Sequence, residues 1–465
     1  MRSLKIGVSG VRGVVGDSLT PQLLVRFAQA FGTYIGPGKV VVGRDTRTSG
    51  EMVREALVGS LRASGCTVVD IGVAPVPTAQ MAVRALRADG GVAITASHNP
   101  AEWNALKFIR SDGICLNRHQ ADELLEVYRQ GEYTQADVDQ LGLLHYDHGA
   151  VERHVSSVLD LVDADEIRRA RFKVAIDCCN GAGSQVTPGL LRSLGCRVVE
   201  INTQPDGLFP HPPEPIPANL GQLCQAVRTS GVDLGFAQDA DADRLAIVSD
   251  RAQAIGEEYT LALAALFYVE RTTEAGALVT NLSTSRMVDD IADRFGRPVV
   301  RTPIGEVNVA EAMVRVGAVI GGEGNGGVIV PKLHYGRDSL AGICLVLEGL
   351  ARHRTPLSRI VAKRTGLLPK HHIHKDKTPV PARHIVRVMT AVARAYEGEK
   401  TNEEDGVKVD WPDCWLHVRP SNTEPIIRVI AEAPTVARAR DIVASASKII
   451  AQELTRQAAG ECWPS

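Results

Sequence analysis

Three times along this chain a short apolar run of strand character empties straight into a loop of small polar and charged residues. Residues 91–94 lead into Thr95-Ala96-Ser97-His98-Asn99-Pro100. Residues 234–237 lead into Asp239-Ala240-Asp241-Ala242-Asp243-Arg244, and Val319-Ile320 into Gly321-Gly322-Glu323-Gly324-Asn325-Gly326-Gly327. Helical periodicity flanks each run. Strands alternating with helices specify α/β units, and such a sheet presents its chemistry where the chain leaves a strand. At 465 residues the chain exceeds one core and has room for three or four domains.

The first unit, residues 1–150, reads as a strand over 4–8 and a loop from Ser9 to Gly13. A helix follows, capped by Thr20 with Pro21 at its first position, and then strands over 39–42, 67–71, 91–94 and 106–109. Residues 131–147 read as a polar linking segment. The second unit, 151–250, has strands over 173–177, 197–201 and 234–237, and a Pro-rich irregular loop over 205–217. The third, 251–365, has strands over 278–281, 299–300 and 319–320. The fourth, 366–465, breaks the plan and reads as α+β. It carries strands over 407–410, 415–418 and 426–430, and a helix with Val386, Met389 and Val392 on one face. A closing helix is striped by Val436, Ile442, Val443, Ile449, Ile450 and Leu454.

Composition narrows the partners. Aromatics at 4% are too sparse for base stacking, and 52 basic against 54 acidic residues leave no basic field for a nucleic acid or an anionic membrane. Nine cysteines form no small-domain disulfide pattern and no C-x-x-C pair, which predicts reduced thiols and a cytoplasmic protein. No apolar run approaches the ~18 residues of a membrane span, and residues 1–10 lack a signal-peptide core.

Three carboxylates at alternate positions, spaced only by alanine, can converge on one hard cation, and oxygen ligands suit Mg²⁺. The bland alternative is a solvated acidic turn, but the triplet directly follows an apolar strand and has Arg244 beside it. Ser97 is a weak nucleophile that needs a base or must already carry the group to be transferred. No G-x-S-x-G elbow is present. With a metal loop elsewhere in the chain, phosphoserine is the better idea, because phosphoryl transfer needs chiefly positioning and charge stabilisation. Lys107 is a candidate acid/base or phosphate partner, or an ordinary surface lysine. Arg419, Ser421, Asn422 and Thr423 between two strands suit a terminal phosphate, or form a plain hairpin turn. Glu323 and Asn325 lie among glycines that let a sugar approach the backbone. Arg12 and Arg47 could add phosphate charge, with a structural role equally open for Arg47. His371, His372 and His374 are read as strand alternation rather than a metal site.

These four loops, in this order, resemble the α-D-phosphohexomutase superfamily over essentially the whole chain. The Ser97 loop looks like its phosphoserine loop and Asp239, Asp241, Asp243 and Arg244 like its D-x-D-x-D-R metal loop. The Glu323 loop looks like its sugar loop and the Arg419 loop like its phosphate loop. The resemblance implies a heart-shaped, four-domain enzyme: three similar α/β domains and a C-terminal α+β domain around a central cleft. It implies Mg²⁺ held by Ser97 and the three aspartates, with catalytic roles for Ser97, Lys107, Arg12 and His98. Arg244 would join the substrate-binding set. The implied reaction moves a phosphoryl group between O1 and O6 of a hexose phosphate through phosphoSer97 and a hexose 1,6-bisphosphate. The protein would be a monomer or homodimer. The sugar loop departs from the usual G-E-x-S-G-H: Asn325 takes the serine position and Gly327 the histidine position. That form looks closer to archaeal-type phosphoglucosamine mutases, whereas Ser421-Asn422-Thr423 resembles phosphomannomutase/phosphoglucomutase loops. Glucosamine phosphate is the expected substrate, with mannose or glucose phosphate as the alternative. An Mg-dependent sugar phosphatase or a non-catalytic sugar-phosphate sensor is the rival from another class.

Overall fold

The computed structural model describes residues 4–7, 10–362, 368, 371–421 and 425–458. Each domain is organised by one sheet. The first sheet has seven strands in the order Lys5–Gly7, Gly10–Val14, Trp103–Arg110, Gly90–Ile94, Lys39–Arg44, Thr67–Val73, Leu144–Tyr146. Gly90–Ile94 runs parallel to Lys39–Arg44 and antiparallel to Trp103–Arg110. Alternation along one strand explains the layers. Val40 and Val42 pack under the helices Pro21–Ile35 and Gly50–Ala63, while Val41 between them packs under the helix Val76–Ala85. With both faces covered, residues 40–42 and 92–94 of the central strands are apolar and buried at consecutive positions.

The second sheet has the order Leu245–Ser249, Leu234–Gln238, Lys173–Asp177, Arg197–Ile201. The third has Val299–Thr302, Leu278–Asn281, Ile320–Glu323, Gly327–Ile329. In each, the loop-forming strand named from sequence turns back as a hairpin. Leu234–Gln238 returns as Leu245–Ser249 and Ile320–Glu323 as Gly327–Ile329, each antiparallel. The polar loops are therefore hairpin turns held at both ends. The fourth sheet is antiparallel throughout: His372–Pro379, Ile426–Ala433, Trp415–Pro420, Val407–Asp410, Thr401–Asn402.

The cores divide unevenly. One continuous cluster runs from Ile176 and Phe236 in the second domain to Leu263, Phe267 and Leu347 in the third. The fourth domain has its own core around Val409, Leu416 and Val429. Polar pairs join it to the third domain: Ser283 Oγ to His417 Nδ1 at 2.7 Å, Arg286 N to Glu432 Oε1 at 2.9 Å, and Lys375 Nζ to Glu257 Oε1 at 2.5 Å.

Several expectations need correction. Gly10–Val14 is a strand, paired with Trp103–Arg110, so Arg12 projects from a sheet and not from a loop. Residues 131–147 contain an edge strand, Leu144–Tyr146. Arg419 and Pro420 belong to a strand. The helix Ser339–His353 was not foreseen, because almost every residue in it is buried and no polar face gives it a period. On Ile385–Ala395 the buried face is Val388 and Val392, and Val386 is 75% exposed.

Candidate active site

The serine loop is held in an unusual backbone shape by a single side chain. Ser97 has φ 49, a region that non-glycine residues enter only under constraint. Arg47, fully buried, supplies the constraint. Its Nε donates to Asp45 Oδ2 at 3.1 Å. Nη1 donates to the carbonyls of Pro100 (2.6 Å) and Trp103 (2.9 Å), and Nη2 to those of Ser97 and Asn99 (both 2.7 Å). All five guanidinium N–H groups are thus spent on the fold, and none remains for a phosphate. Asp45 in turn accepts from Thr95 Oγ1 at 2.6 Å, and Thr95 Oγ1 accepts from the backbone N–H of Ser97 at 3.0 Å.

The loop tip meets the aspartate turn of the second domain. Ser97 Oγ donates to Asp239 Oδ2 at 2.8 Å. Lys107, on the strand Trp103–Arg110, reaches Asp241 Oδ2 at 2.6 Å and Asp243 Oδ2 at 3.5 Å. One carboxylate oxygen from each aspartate lies within 4.8 Å of the others, and all three residues are buried. Asp241 Oδ1 and Asp243 Oδ1 are buried and make no hydrogen bond. Orphaned carboxylate oxygens in the interior are costly, and a divalent cation would satisfy them. Burial, with the charges of Asp241 and Asp243, pushes the Asp239 carboxyl well above its ordinary range. Burial acts in the same sense on Asp243, but Arg337, Lys107 and Arg244 outweigh it and hold that carboxyl below the usual range. The same aspartates outweigh burial at Lys107 and keep it a cation.

Around this core, Arg12 Nη1 donates to Asn99 Oδ1 at 2.6 Å. His98 places Nδ1 3.4 Å from Ser97 Oγ, and Arg244, aided by burial and Arg12, holds its imidazole well below the ordinary range. Arg244 Nε lies 3.8 Å from Asp243 Oδ1 and 4.0 Å from Asp239 Oδ2. The third domain contributes Glu323, which accepts from Asn281 Nδ2 (2.9 Å), Gly305 N (3.2 Å), Asn325 Nδ2 (3.3 Å) and Arg337 Nη1 (2.9 Å). Arg419 of the fourth domain donates to Asp405, whose Oδ2 also accepts from Ile304 N at 2.9 Å, one residue before Gly305. The Arg419 strand end is thereby tied, through Asp405, to the segment that bonds Glu323. Ser421 N donates to Ile426 O at 2.9 Å. Asn422 and Thr423 lie outside the described residues.

Sequence reasoning missed Arg337, which joins Asp243 to Glu323, and Thr95, Asp45, Asn281 and Asp405, which hold other members. One signal was available: Asp338 caps the apolar run after it, accepting from Leu340 N and Ala341 N, and Arg337 is its neighbour. His371 bonds Asp290 Oδ2 of the third domain at 2.5 Å and lies 3.7 Å from Glu432 of its own domain.

Models of the phosphoglucomutase/phosphomannomutase α/β/α domains I, II and III match residues 3–135, 152–253 and 256–366, and that of the C-terminal domain matches 377–449. The chain belongs to the phosphoglucomutase/phosphomannomutase family. This phosphohexomutase is 38% identical over 455 residues to a "Phosphoglucomutase/phosphomannomutase" of Thermococcus kodakarensis, spanning 96% of this chain and 98% of the relative. It is 39% identical over 443 residues to a "Probable phosphoglucosamine mutase" of Methanopyrus kandleri, spanning 94% and 95%. A crystal structure of a phosphoglucomutase/phosphomannomutase family protein from Burkholderia thailandensis superposes with TM-score 0.81 at 26% identity, covering 96% and 97% of the two chains. The four-domain architecture is that of the phosphohexomutases, isomerases of the phosphoglucosamine mutase or phosphomannomutase type. Among the described residues no helix is long and apolar enough to cross a membrane.

Proposed function

We propose that this phosphohexomutase works through phosphoSer97 and a hexose 1,6-bisphosphate, and that its preferred substrate is glucosamine phosphate. The observation that carries the reading is the meeting of Ser97 Oγ with Asp239 at 2.8 Å beside two buried carboxylates with orphaned oxygens. Ser97 and Asp239, Asp241 and Asp243 would hold Mg²⁺, which when bound would neutralise phosphate charge.

In the forward half-reaction phosphoSer97 gives its phosphoryl group to the free hydroxyl of a hexose phosphate. The P–Oγ bond breaks, a P–O bond to the sugar forms, and the hydroxyl proton ends on Ser97 Oγ. Lys107, held cationic by Asp241 and Asp243, is suited to relay that proton: it gives one to the departing Oγ and is recharged by the one the sugar hydroxyl releases. His98 Nδ1 lies 3.4 Å from the same oxygen, and Arg12 is tied to the serine loop through Asn99; both are assigned to the transferring group. The bisphosphate then turns and returns its other phosphate to Ser97. Glu323 and Asn325 take the sugar hydroxyls, and Arg244, Arg419, Ser421, Asn422 and Thr423 take the phosphate that is not reacting. A fourth domain joined by polar pairs, with a core of its own, suits the opening that such a turn requires.

The sugar preference rests on the Gly322 to Gly327 loop, which carries Asn325 and Gly327 in place of the usual serine and histidine, and on the relatives that carry the phosphoglucosamine mutase name. Intact mass should rise by one phosphate after incubation with a hexose 1,6-bisphosphate, and Ser97→Ala should abolish both that mass shift and turnover. A coupled assay on glucosamine 1-phosphate, mannose 1-phosphate and glucose 1-phosphate should rank the first highest. Equal turnover of all three would remove the sugar preference. Accumulation of inorganic phosphate in place of the isomeric sugar phosphate would establish the phosphatase instead. Burial of Ser97 away from water favours the mutase.

A further inference from the structure

Gly327 stands where this family's sugar loop usually carries a histidine, and the structure accounts for the missing side chain. A Cβ built on Gly327 would lie 2.8 Å from Cγ of Arg337 and closer still to its Cδ. Real Cβ contacts are essentially never that short, so the methylenes of Arg337 occupy the space in which a side chain at 327 would begin. Arg337 enters that space from the residue before Asp338, the N-cap of the helix Ser339–His353.

Its guanidinium is anchored at both ends. Nη2 donates to Asp243 Oδ2 at 2.6 Å and Nη1 to Glu323 Oε2 at 2.9 Å, with Glu306 Oε2 at 3.5 Å from Nη2. The residue is 7% exposed. The backbone beneath it is fixed by groups from all three α/β domains. Asp338 Oδ2 bonds His154 Nε2 at 2.8 Å and His334 Nε2 at 3.2 Å, and His154 Nδ1 meets Thr78 Oγ1 at 2.8 Å. These three ligand-type residues cluster closely enough for a metal ion. However, His334 Nδ1 accepts from Gly336 N at 3.0 Å, which puts the proton on Nε2, facing Asp338. The cluster is a hydrogen-bonded rivet beneath Arg337.

We propose that Arg337 is a positioning residue of this enzyme: it fills the space in which a residue-327 side chain would stand and couples the sugar-loop Glu323 to the metal-loop Asp243. This rests on the phosphohexomutase reading of the site. A planar fork can hold two carboxylates in one geometry, whereas a lysine ammonium acts as a point charge. Two effects of opposite sign follow. Without the guanidinium Glu323 loses a fixed partner and sugar binding weakens. At the same time Asp243 loses a competing positive charge and holds a divalent cation more tightly.

The test compares Arg337→Met and Arg337→Lys with the parent enzyme. Affinity for Mn²⁺ is read by electron paramagnetic resonance on dephosphorylated protein, and kcat and KM are read for the three hexose 1-phosphates. Arg337→Met is expected to lose roughly 10–100-fold in kcat/KM, mainly through KM, while Mn²⁺ binds roughly tenfold more tightly. Arg337→Lys keeps the charge, so its Mn²⁺ affinity stays near that of the parent while KM still rises. A misfolded variant would weaken both readouts together, and this split would not appear. Should Arg337→Met fail to fold, Arg337→Lys decides alone. Parent-like KM values in Arg337→Lys, or kcat/KM within threefold and unchanged Mn²⁺ affinity in Arg337→Met, overturn the proposal. The shared space is tested separately. Gly327→Ala should impair the parent enzyme but be neutral in an Arg337→Ala background, and equal impairment in both would refute the shared-space argument. A parent enzyme inactive on all three sugars would refute the proposed function, yet the Mn²⁺ comparison would still report on Arg337.

Discussion

Replacing Arg47 by methionine should damage stability and chemistry together. The side chain is buried and all five of its N–H groups are bonded, four to carbonyls of the serine loop and its exit and one to Asp45. Methionine keeps much of the volume and removes every donor. Leaving a buried ion pair with one partner costs about 3–5 kcal/mol, and each carbonyl left unsatisfied adds about 1 kcal/mol or more. Water entering the vacated space offsets part of this, leaving a loss of about 5 kcal/mol. For a domain of this size each kcal/mol moves the melting temperature by about 2–4 °C, so calorimetry should find the first-domain transition lowered by roughly 10–20 °C. Below that transition the chain still folds, but Ser97 is free to leave its φ of 49. A displacement of about 1 Å at a reacting atom costs roughly 100-fold, so kcat measured well below the melting point should fall by about that factor. Arg47→Lys should sit between, since three donors cannot serve five acceptors. A melting temperature within about 3 °C of the parent, or kcat within about twofold, would show that the loop holds its shape without this clamp.

Asp241→Asn removes one carboxylate from the metal set and the closest partner of Lys107. Mn²⁺ affinity by calorimetric titration should drop roughly 10-fold or more, and chelation should abolish activity of the parent until Mg²⁺ is restored. Gly326 has φ 91, and a Cβ there would collide with the carbonyl oxygen of Leu245. Gly326→Ala should therefore raise KM for sugar phosphate and lower melting of the third domain, which holds the turn, and an unchanged KM would contradict the turn geometry. Burial lowers His417 to about 4, where its Nδ1 meets Ser283. For this depressed base the stabilisation is complete above the unfolded value of about 6.5 and is lost as pH falls from there toward 4. Scattering or limited proteolysis should find the fourth domain released from the third across that window, and His417→Gln should flatten the profile.

Much of the fold was legible because its signals are local. Thr20 and Pro21 announce a helix start, and the Thr20 side chain does accept from Leu23 N. Strands such as Lys173–Asp177 and Leu278–Asn281 were legible from short apolar stretches, residues 174–176 and 278–279, that a covered sheet buries. The helix Ser339–His353 escaped because burial on every side erases the period on which sequence reading depends. Val386 was assigned to the wrong face because one turn of apolar residues fits more than one stripe. Arg12 looked like a loop residue because Gly10 and Gly13 punctuate its strand.

For the site, the sequence alone determined which chemical groups exist. Ser97, the three aspartates, Glu323 and Arg419 stand in short motifs, and each motif's composition states the charge it can meet. What the tertiary structure decided was which group faces which. Arg12, Arg47 and Arg337 are alike in the sequence, and each could have met a phosphate. Folding turned Arg47 onto backbone carbonyls, Arg337 onto two carboxylates from different domains, and Arg12 onto Asn99. The physical reason is that a guanidinium takes its role from the acceptors within about 3 Å. Those acceptors arrive from strands and helices separated by tens to hundreds of residues, brought together only when the sheets close their cores.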